Sequence, residues 1–530
     1  MGIKERMETI KFGPFLGINN RLPDFALKVE AGQYLRTADN VDIDNAGKIR
    51  RRRGVTRAQA MSNAHSVRIT SSTGGFLVRA SVLYAITLPA YSETLLKVLA
   101  SDADMIYVKL GADWYFSNGT DAGRVTAGVA YPMGLPTPVA PALSTVGGSL
   151  LKGNYLVAVA YVNVTTSEEG GISPTTLHNL EGSGGVRVTL PGAVTGATHA
   201  NVYLSDSNGT VPQLHSTVAL GSATVDLTTL ATGRPSTMRF EAPLPAGTLF
   251  NANGRICSHA GSMVYVGLPF RPGYYLPAEG YIPFPSTVSI AVTNQGGTYV
   301  AADKTYFVPG DLGNVQGNIA DVLPYGAVPG TVFESPDEAL VGWFGEKGFV
   351  LANASGGVET PMAKTVNVTL PATGSASVCE CEGYTRVSSC GYTMNLQTKA
   401  VTTYSGNVFT SMSRCYATKV DGIYITDADT PVNASVGFGK QDLGSEERKG
   451  LPAIYLGTDS PSPMNMQVKT PSMDYTYAAR SAGADMQVQR IDPGLGLIAN
   501  YFDLTLTNTS GADFALAFVS LGPSVTTRRI

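Results

Sequence analysis

Along most of the chain, apolar and polar residues alternate in short runs broken by Gly, Asn, Asp and Pro. This is the period-two pattern of half-buried strands. The clearest case is Asn40 to Gly54. Val41 and Ile43 alternate with Asp42 and Asp44, and Asn45-Ala46-Gly47 then connects to Lys48-Ile49-Arg50. The spacing predicts a β-hairpin with Gly47 at the left-handed position of a bulged turn. Counting back across the turn, Asp44 faces Lys48, Ile43 faces Ile49 and Asp42 faces Arg50. One face is then apolar and the other carries two opposite-charge pairs, each contributing about 0.2–1 kcal/mol.

Other segments follow the same grammar. Met105–Leu110 and Trp114–Phe116 flank the turn Gly111-Ala112-Asp113 and predict a second hairpin. Ala80–Leu99 is apolar but broken by Pro89, which predicts two strands and a turn. From residue 131, Pro132, Pro136, Pro138 and Pro141 make a stiff linker. Beyond it Gly153–Val162, Val186–Leu190, Ala200–Ser205 and Ser222–Leu227 read as strands, with Glu168–Gly171 as a turn. Their spacing predicts a β-sandwich of about 100 residues, which resembles a fibronectin type III-like module.

From about Pro243, hairpins recur at irregular spacing, most clearly in Val341–Leu351 and Cys415–Thr426. Propeller blades without a strict repeat look like this, and an ordinary sandwich or barrel gives the same hairpins. Near the end, Phe502, Leu504 and Leu506 alternate with polar residues, and Phe514–Phe518 alternates again. The two segments read as one half-buried hairpin.

The fold class expected is therefore all-β: a β-propeller-like body with an inserted fibronectin type III-like β-sandwich and a C-terminal β module. Residues 1–130 are an N-terminal segment of the body, 131–242 the insertion, 243–450 the body and 451–530 the closing module. Composition agrees. There are 59 glycines in 530 residues, and charged residues are 15% of the chain, against usual values of about 7% and about 25%. A low charge fraction is expected of a surface covered by other subunits, and equally of a secreted β protein with a bland polar surface.

The net charge of −3 gives the chain as a whole no electrostatic footprint for nucleic acid. The run Arg50, Arg51, Arg52, Arg53 is the local exception. In a strand these side chains alternate between faces, so cross-strand or inter-subunit pairing is expected ahead of contact with DNA. Five cysteines, Cys257, Cys379, Cys381, Cys390 and Cys415, form no paired framework, and reduced thiols are expected. The first residues, Met1–Glu8, lack the apolar core of a signal peptide, and no run is apolar enough to span a membrane.

Candidate chemistry is sparse. None of the five histidines, His65, His178, His199, His215 and His259, sits in a motif, and each is expected to be satisfied or exposed. Glu334, Asp337 and Glu338 cluster beside Ser335-Pro336, where a solvated turn is the simpler reading than paired catalytic carboxylates. Asp427-Ala428-Asp429 likewise reads as a turn. No catalytic residue, cofactor or metal is predicted. Phe270, Arg271, Tyr274 and Tyr275 form a proline-containing aromatic loop whose residue types suit an interface.

Phe12–Pro23 followed by Ala38–Gly54, then Gly254–Val266 and Arg490–Phe514, together about a fifth of the chain, resemble tail nozzle or tail-hub proteins of short-tailed bacteriophages. These are also called DNA-stabilisation or tubular tail proteins. The resemblance implies a non-enzymatic virion protein, assembled in the host cytoplasm and located in the viral tail. Six copies would form a ring below the portal adaptor or head-to-tail connector. Its channel would hold the genome end and pass DNA during ejection, and the inserted domain or peripheral loops would carry tail fibres or a spike. A receptor-binding or glycan-degrading tail protein is the alternative, and a secreted β-propeller adhesin a weaker third.

Overall fold

The computed structural model describes residues 8–236, 240–314, 319–335, 340–381, 383–406, 408–494 and 496–525. It is all-β. Helix among the described residues is confined to two 3-10 turns, Asp24–Ala26 and Leu312–Asn314. No described helix is long and apolar enough to cross a membrane. The chain forms two compact units. One comprises Met1–Ala80, Ile86–Glu93 and Tyr325–Ile530, and the other Ser81–Ala85 and Thr94–Pro324.

In the second unit the repeating element is a four-stranded antiparallel meander. The first is Ile106–Leu110, Asp113–Ser117, Ala122–Thr126 and Val129–Pro132. Its opening hairpin has the register read from the sequence, with Leu110 opposite Asp113 and Gly111 at φ 60°. A second meander runs through Thr248–Ala252, Arg255–Ala260, Met263–Tyr265 and Tyr281–Pro283. A third runs through Ile290–Asn294, Gly297–Ala301, Thr305–Pro309 and Ala320–Leu323. These last two share a core containing Phe250, Val264, Val300 and Val308. Each such side chain contributes about 1.5–3 kcal/mol on burial.

Between the first and second meanders lies a β-sandwich. Leu143–Leu150, Gly184–Thr189 and Thr224–Leu227 make one sheet. Gly153–Asn163 is the centre of the other, paired with Glu168–Ile172, Thr176–Leu180 and His199–Leu204. Tyr155, Val157 and Val159 enter the sandwich core, while Ala158 and Ala160 pack against Ile172 and Tyr203 on the opposite face. The central strand is apolar on both sides because both sides are covered. Glu168–Ile172 is a strand, not the expected turn, and its carboxylates are used by the surrounding protein. In an immunoglobulin-type sandwich the first two strands share a sheet. Here Leu143–Leu150 and Gly153–Asn163 lie in different sheets, so the wiring differs.

The first unit contains another meander, Phe333–Glu334, Val341–Gly345, Gly348–Ala352 and Val358–Glu359, with Trp343, Phe344 and Phe349 fully buried. Ser411–Ser413, Tyr416–Lys419 and Gly422–Ala428 form three strands of a further sheet, and the N-terminal strand Gly54–Ala60 supplies the fourth. Two larger sheets complete the unit. A nine-stranded sheet includes Ala376–Cys381, Tyr384–Ser389, Thr37–Asp39, Ser435–Gln441 and Phe502–Thr507. A seven-stranded sheet includes Lys449–Ser460, Ala515–Val525, Ile49–Arg51 and Val41–Ile43. Ile10–Phe12 pairs with Ala515–Val525, so residues near the start of the chain build the C-terminal module as well as the body to which 1–130 was assigned.

Phe502–Thr507 and Ala515–Val525 are not a hairpin. The first pairs with Ser435–Gln441 and Asn465–Lys469 in one sheet, the second with Lys449–Ser460 in the other. Asn508 turns the corner, donating to the carbonyls of Val432 and Ala512 and accepting the Ala434 amide. The alternation of Phe502, Leu504 and Leu506 with Leu516, Val519 and Leu521 is present because both sheets face one core. Period-two patterning is the same for strands that pair and for strands that stack.

Candidate assembly site

The hairpin forms in the expected register. Val41 faces Arg51, Asp42 faces Arg50 and Ile43 faces Ile49. Gly47 has φ 74°, where a side chain is strained, and its amide donates to the Asp44 carbonyl at 3.0 Å. Asp44 closes the turn through one carboxylate oxygen, which accepts the amides of Ala46 and Lys48 at 2.9 Å each. Arg50 lies 3.4 Å from the other oxygen.

The charge pairing differs from expectation at Asp42. Both faces of Val41–Ile43 are covered, so Asp42 is buried and is held by groups distant in sequence. Arg386 Nη1 lies 2.8 Å away, and the Tyr404 hydroxyl also donates to it. Arg386 reaches Asp427 at 3.4 Å. Arg52 is buried beside them, donating from Nε to Asn40 Oδ1 at 2.8 Å and lying over the Tyr404 ring at 4.8 Å. Burial raises the Tyr404 phenol well above its ordinary range, with Arg386 opposing the shift and Asp42 reinforcing it. Burial also lowers the Arg52 guanidinium, against the pull of Tyr404 and Asp42. The network joins the N-terminal hairpin to strands more than 300 residues away, and a chain that loses one partner strands a buried charge.

The four arginines do not share one surface. Arg51 is buried, with Nε 3.0 Å from Asp513 and Nη1 donating to the Thr430 carbonyl. Arg52 belongs to the network above. Arg53 lies 3.5 Å from Asp429. Arg50, Arg51 and Arg53 line a cavity of about 320 Å³ that also meets Asp459, Asp513 and Ala484. The Asp459 carboxylate is engaged by the Ala515 amide at 2.6 Å. Arg51 and Arg52 tie strands together, while Arg50 and Arg53 each keep 40% of the side chain exposed at the cavity.

Phe270, Arg271, Tyr274 and Tyr275 lie in the other unit, and three of them are used inside it. Arg271 lies 2.7 Å from Glu241, donates to the Glu169 carbonyl at 2.7 Å and covers the Tyr274 ring at 4.5 Å. The Tyr274 hydroxyl donates to Glu168 and accepts the Leu135 amide, each at 2.7 Å. A Cβ at Gly134 would come 2.8 Å from that ring, which explains the glycine. Tyr275 packs edge-on against Tyr265. The loop thus fastens the sandwich to the meander that begins at Thr248. Phe270 alone faces outward, 98% exposed and at φ 62°.

Three features were not anticipated. Cys379 and Cys415 form a disulfide across 36 residues, against the expectation of reduced thiols. They meet because Ala376–Cys381 packs beside Ser411–Ser413, where Ser377 Oγ also donates to the Arg414 carbonyl. No local spacing signals such a pair. His259 is buried with Nε2 lacking a hydrogen-bond partner, and burial lowers it to about 4, so it is neither satisfied nor exposed. Asp427, Asp429 and Asp513, read as turn residues, are the counter-charges of the buried arginines. Asp337 and Glu338 lie outside the described residues. Among the described residues, no group of three or more His, Cys, Asp or Glu side chains is placed to hold a metal ion.

No protein family and no curated protein matches this chain. Solved structures similar to it include apo AztD from Citrobacter koseri, with 14% identity, TM-score 0.30, 70% of this chain covered and 94% of that one. The extracellular domain of BT4673 from B. thetaiotaomicron shares 9% identity at TM-score 0.25, with 89% and 88% covered. A family 43 arabinoxylan arabinofuranohydrolase from Bacillus subtilis shares 7% identity at TM-score 0.20, with 79% and 95% covered. At these scores the likenesses transfer neither fold nor function.

Proposed function

We propose that this chain is a structural subunit of a virion tail, the nozzle or hub ring of a short-tailed bacteriophage. In this reading the recurring four-stranded meanders are blades of a propeller-like body, with Gly54–Ala60 completing the last of them, and the sandwich is an insertion. The observation that carries the reading is the environment of the segment with the family resemblance. Phe12–Gly54 shares sheets with the other end of the chain, and its charged residues Asp42, Arg51 and Arg52 hold distant strands together. That is the part expected of a load-carrying structural element. Six copies would enclose a channel for the genome end, contact the portal adaptor above and carry fibres or a spike, with DNA touching the wall in passage. A nearly neutral wall suits that task, because every phosphate neutralised adds affinity and slows release.

Electron microscopy of the purified protein tests the proposal. Six-fold rings with a central channel support it. A trimeric spike, or cleavage of host polysaccharide by the isolated protein, contradicts it in favour of a receptor-binding or glycan-degrading tail protein.

A further inference from the structure

Two strands consecutive in sequence end two different sheets. Asp474–Ala478 is the terminal strand of the nine-stranded sheet and pairs only with Asn465–Lys469. Gly483–Ile491 is the terminal strand of the seven-stranded sheet and pairs with Lys449–Ser460. Among the described residues neither has a strand on its outer side. A free strand edge is a template for pairing, and monomeric proteins block it with lysine, proline or cover. Neither strand contains lysine or proline. Residues 484–488 are instead exposed on both faces, and apolar side chains stand there: Met486 is 46% and Val488 59% exposed. On the other edge Tyr475 is 53% exposed. Exposed apolar groups on unblocked strand edges mark a surface made to be covered.

We infer that the Gly483–Val488 edge receives the Asp474–Ala478 edge of a second copy of this chain. Charge selects this occupant. Ala484, at the open start of the receiving edge, lines the cavity with Arg50 and Arg53. The donor edge starts with a carboxylate, Asp474, which its own chain engages only through exposed contacts with Lys469 and Gln467. A parallel pairing that sets Asp474 against Ala484 delivers the carboxylate to the arginines and places Tyr475 and Met486 in neighbouring positions along the joint. Apolar side chains beside free backbone amides fit another strand and not a phosphate backbone. Because the two edges are different surfaces of one chain, the contact is head-to-tail, the kind that closes into rings. The inference deepens the ring proposal and rests on it for the closure, but not for the pairing.

Two double variants test it: Met486→Lys with Val488→Lys, and Asp474→Lys with Tyr475→Lys. All four side chains are exposed, so melting temperatures should match the wild type. By sedimentation velocity over a concentration series, the wild type should assemble. Each variant should stay monomeric to concentrations at least about tenfold above the wild-type midpoint. A mixture of the two should arrest at a dimer, because one intact donor and one intact receiver remain. A wild type that stays monomeric overturns the inference, as do variants that assemble like the wild type. So does loss of assembly in the first variant alone, which would mean that the Gly483–Val488 edge pairs with itself. If the mixture dimerises but wild-type assemblies show no ring under the electron microscope, the edge pairing stands and the ring proposal falls.

Discussion

Asp42 and Arg386 show how a residue's environment decides its worth. Their ion pair at 2.8 Å is buried on both sides, so removing one partner leaves an uncompensated charge. Asp42→Asn or Arg386→Met is expected to lower unfolding free energy by about 3–5 kcal/mol in denaturant melts. The exposed pair Arg57–Asp421 at 3.2 Å should lose less than about 1 kcal/mol on Arg57→Ala. Equal losses in the two cases would contradict the burial argument. His259 supplies a pH test. Its neutral ring is the buried form, and the folded value of about 4 lies below the ordinary 6.5. The unfolded chain therefore takes up the proton first as pH falls. Stability is complete above about pH 6.5, is lost between 6.5 and 4, and levels off below, for a total of about 3 kcal/mol. A His259→Gln variant should flatten that part of the melting-temperature profile; an unchanged slope would place the titrating group elsewhere.

The elements legible in the sequence are those set by near neighbours. The Asn40–Gly54 hairpin has its expected register because the turn residues and the two-residue period act within fifteen positions. The partner of Asp42 was not legible, because Arg386 approaches through packing from 344 residues away. Phe502–Thr507 and Ala515–Val525 repeat the lesson: their burial pattern was readable and their sheet membership was not. Phe270–Tyr275 was recognised by residue type, yet Arg271 and Tyr274 serve contacts within the chain. The Cys379–Cys415 link also belongs to this scale, since it joins neighbouring sheets. Cys415→Ala should cost about 3–4 kcal/mol under oxidising conditions and nothing further under reducing ones. Equal melting of both proteins without reductant would argue against the bond.

At the scale of the whole chain, its beginning and end are built into the same sheets, and Gly54–Ala60 supplies the outer strand of a sheet whose other strands begin at Ser411. Removing residues 1–60 therefore takes strands from three sheets at once. The truncated protein is expected to lose cooperative unfolding in circular dichroism melts, whereas a retained sharp transition would show the N-terminal segment to be an accessory. All of the structural reasoning converges on a subunit whose charges bind strands to strands and whose unblocked edges bind copy to copy. The most direct measurement of that claim is electron microscopy of the purified full chain at concentrations that permit assembly. Six-fold rings around an open channel are the predicted result; isolated monomers or three-fold spikes would contradict it.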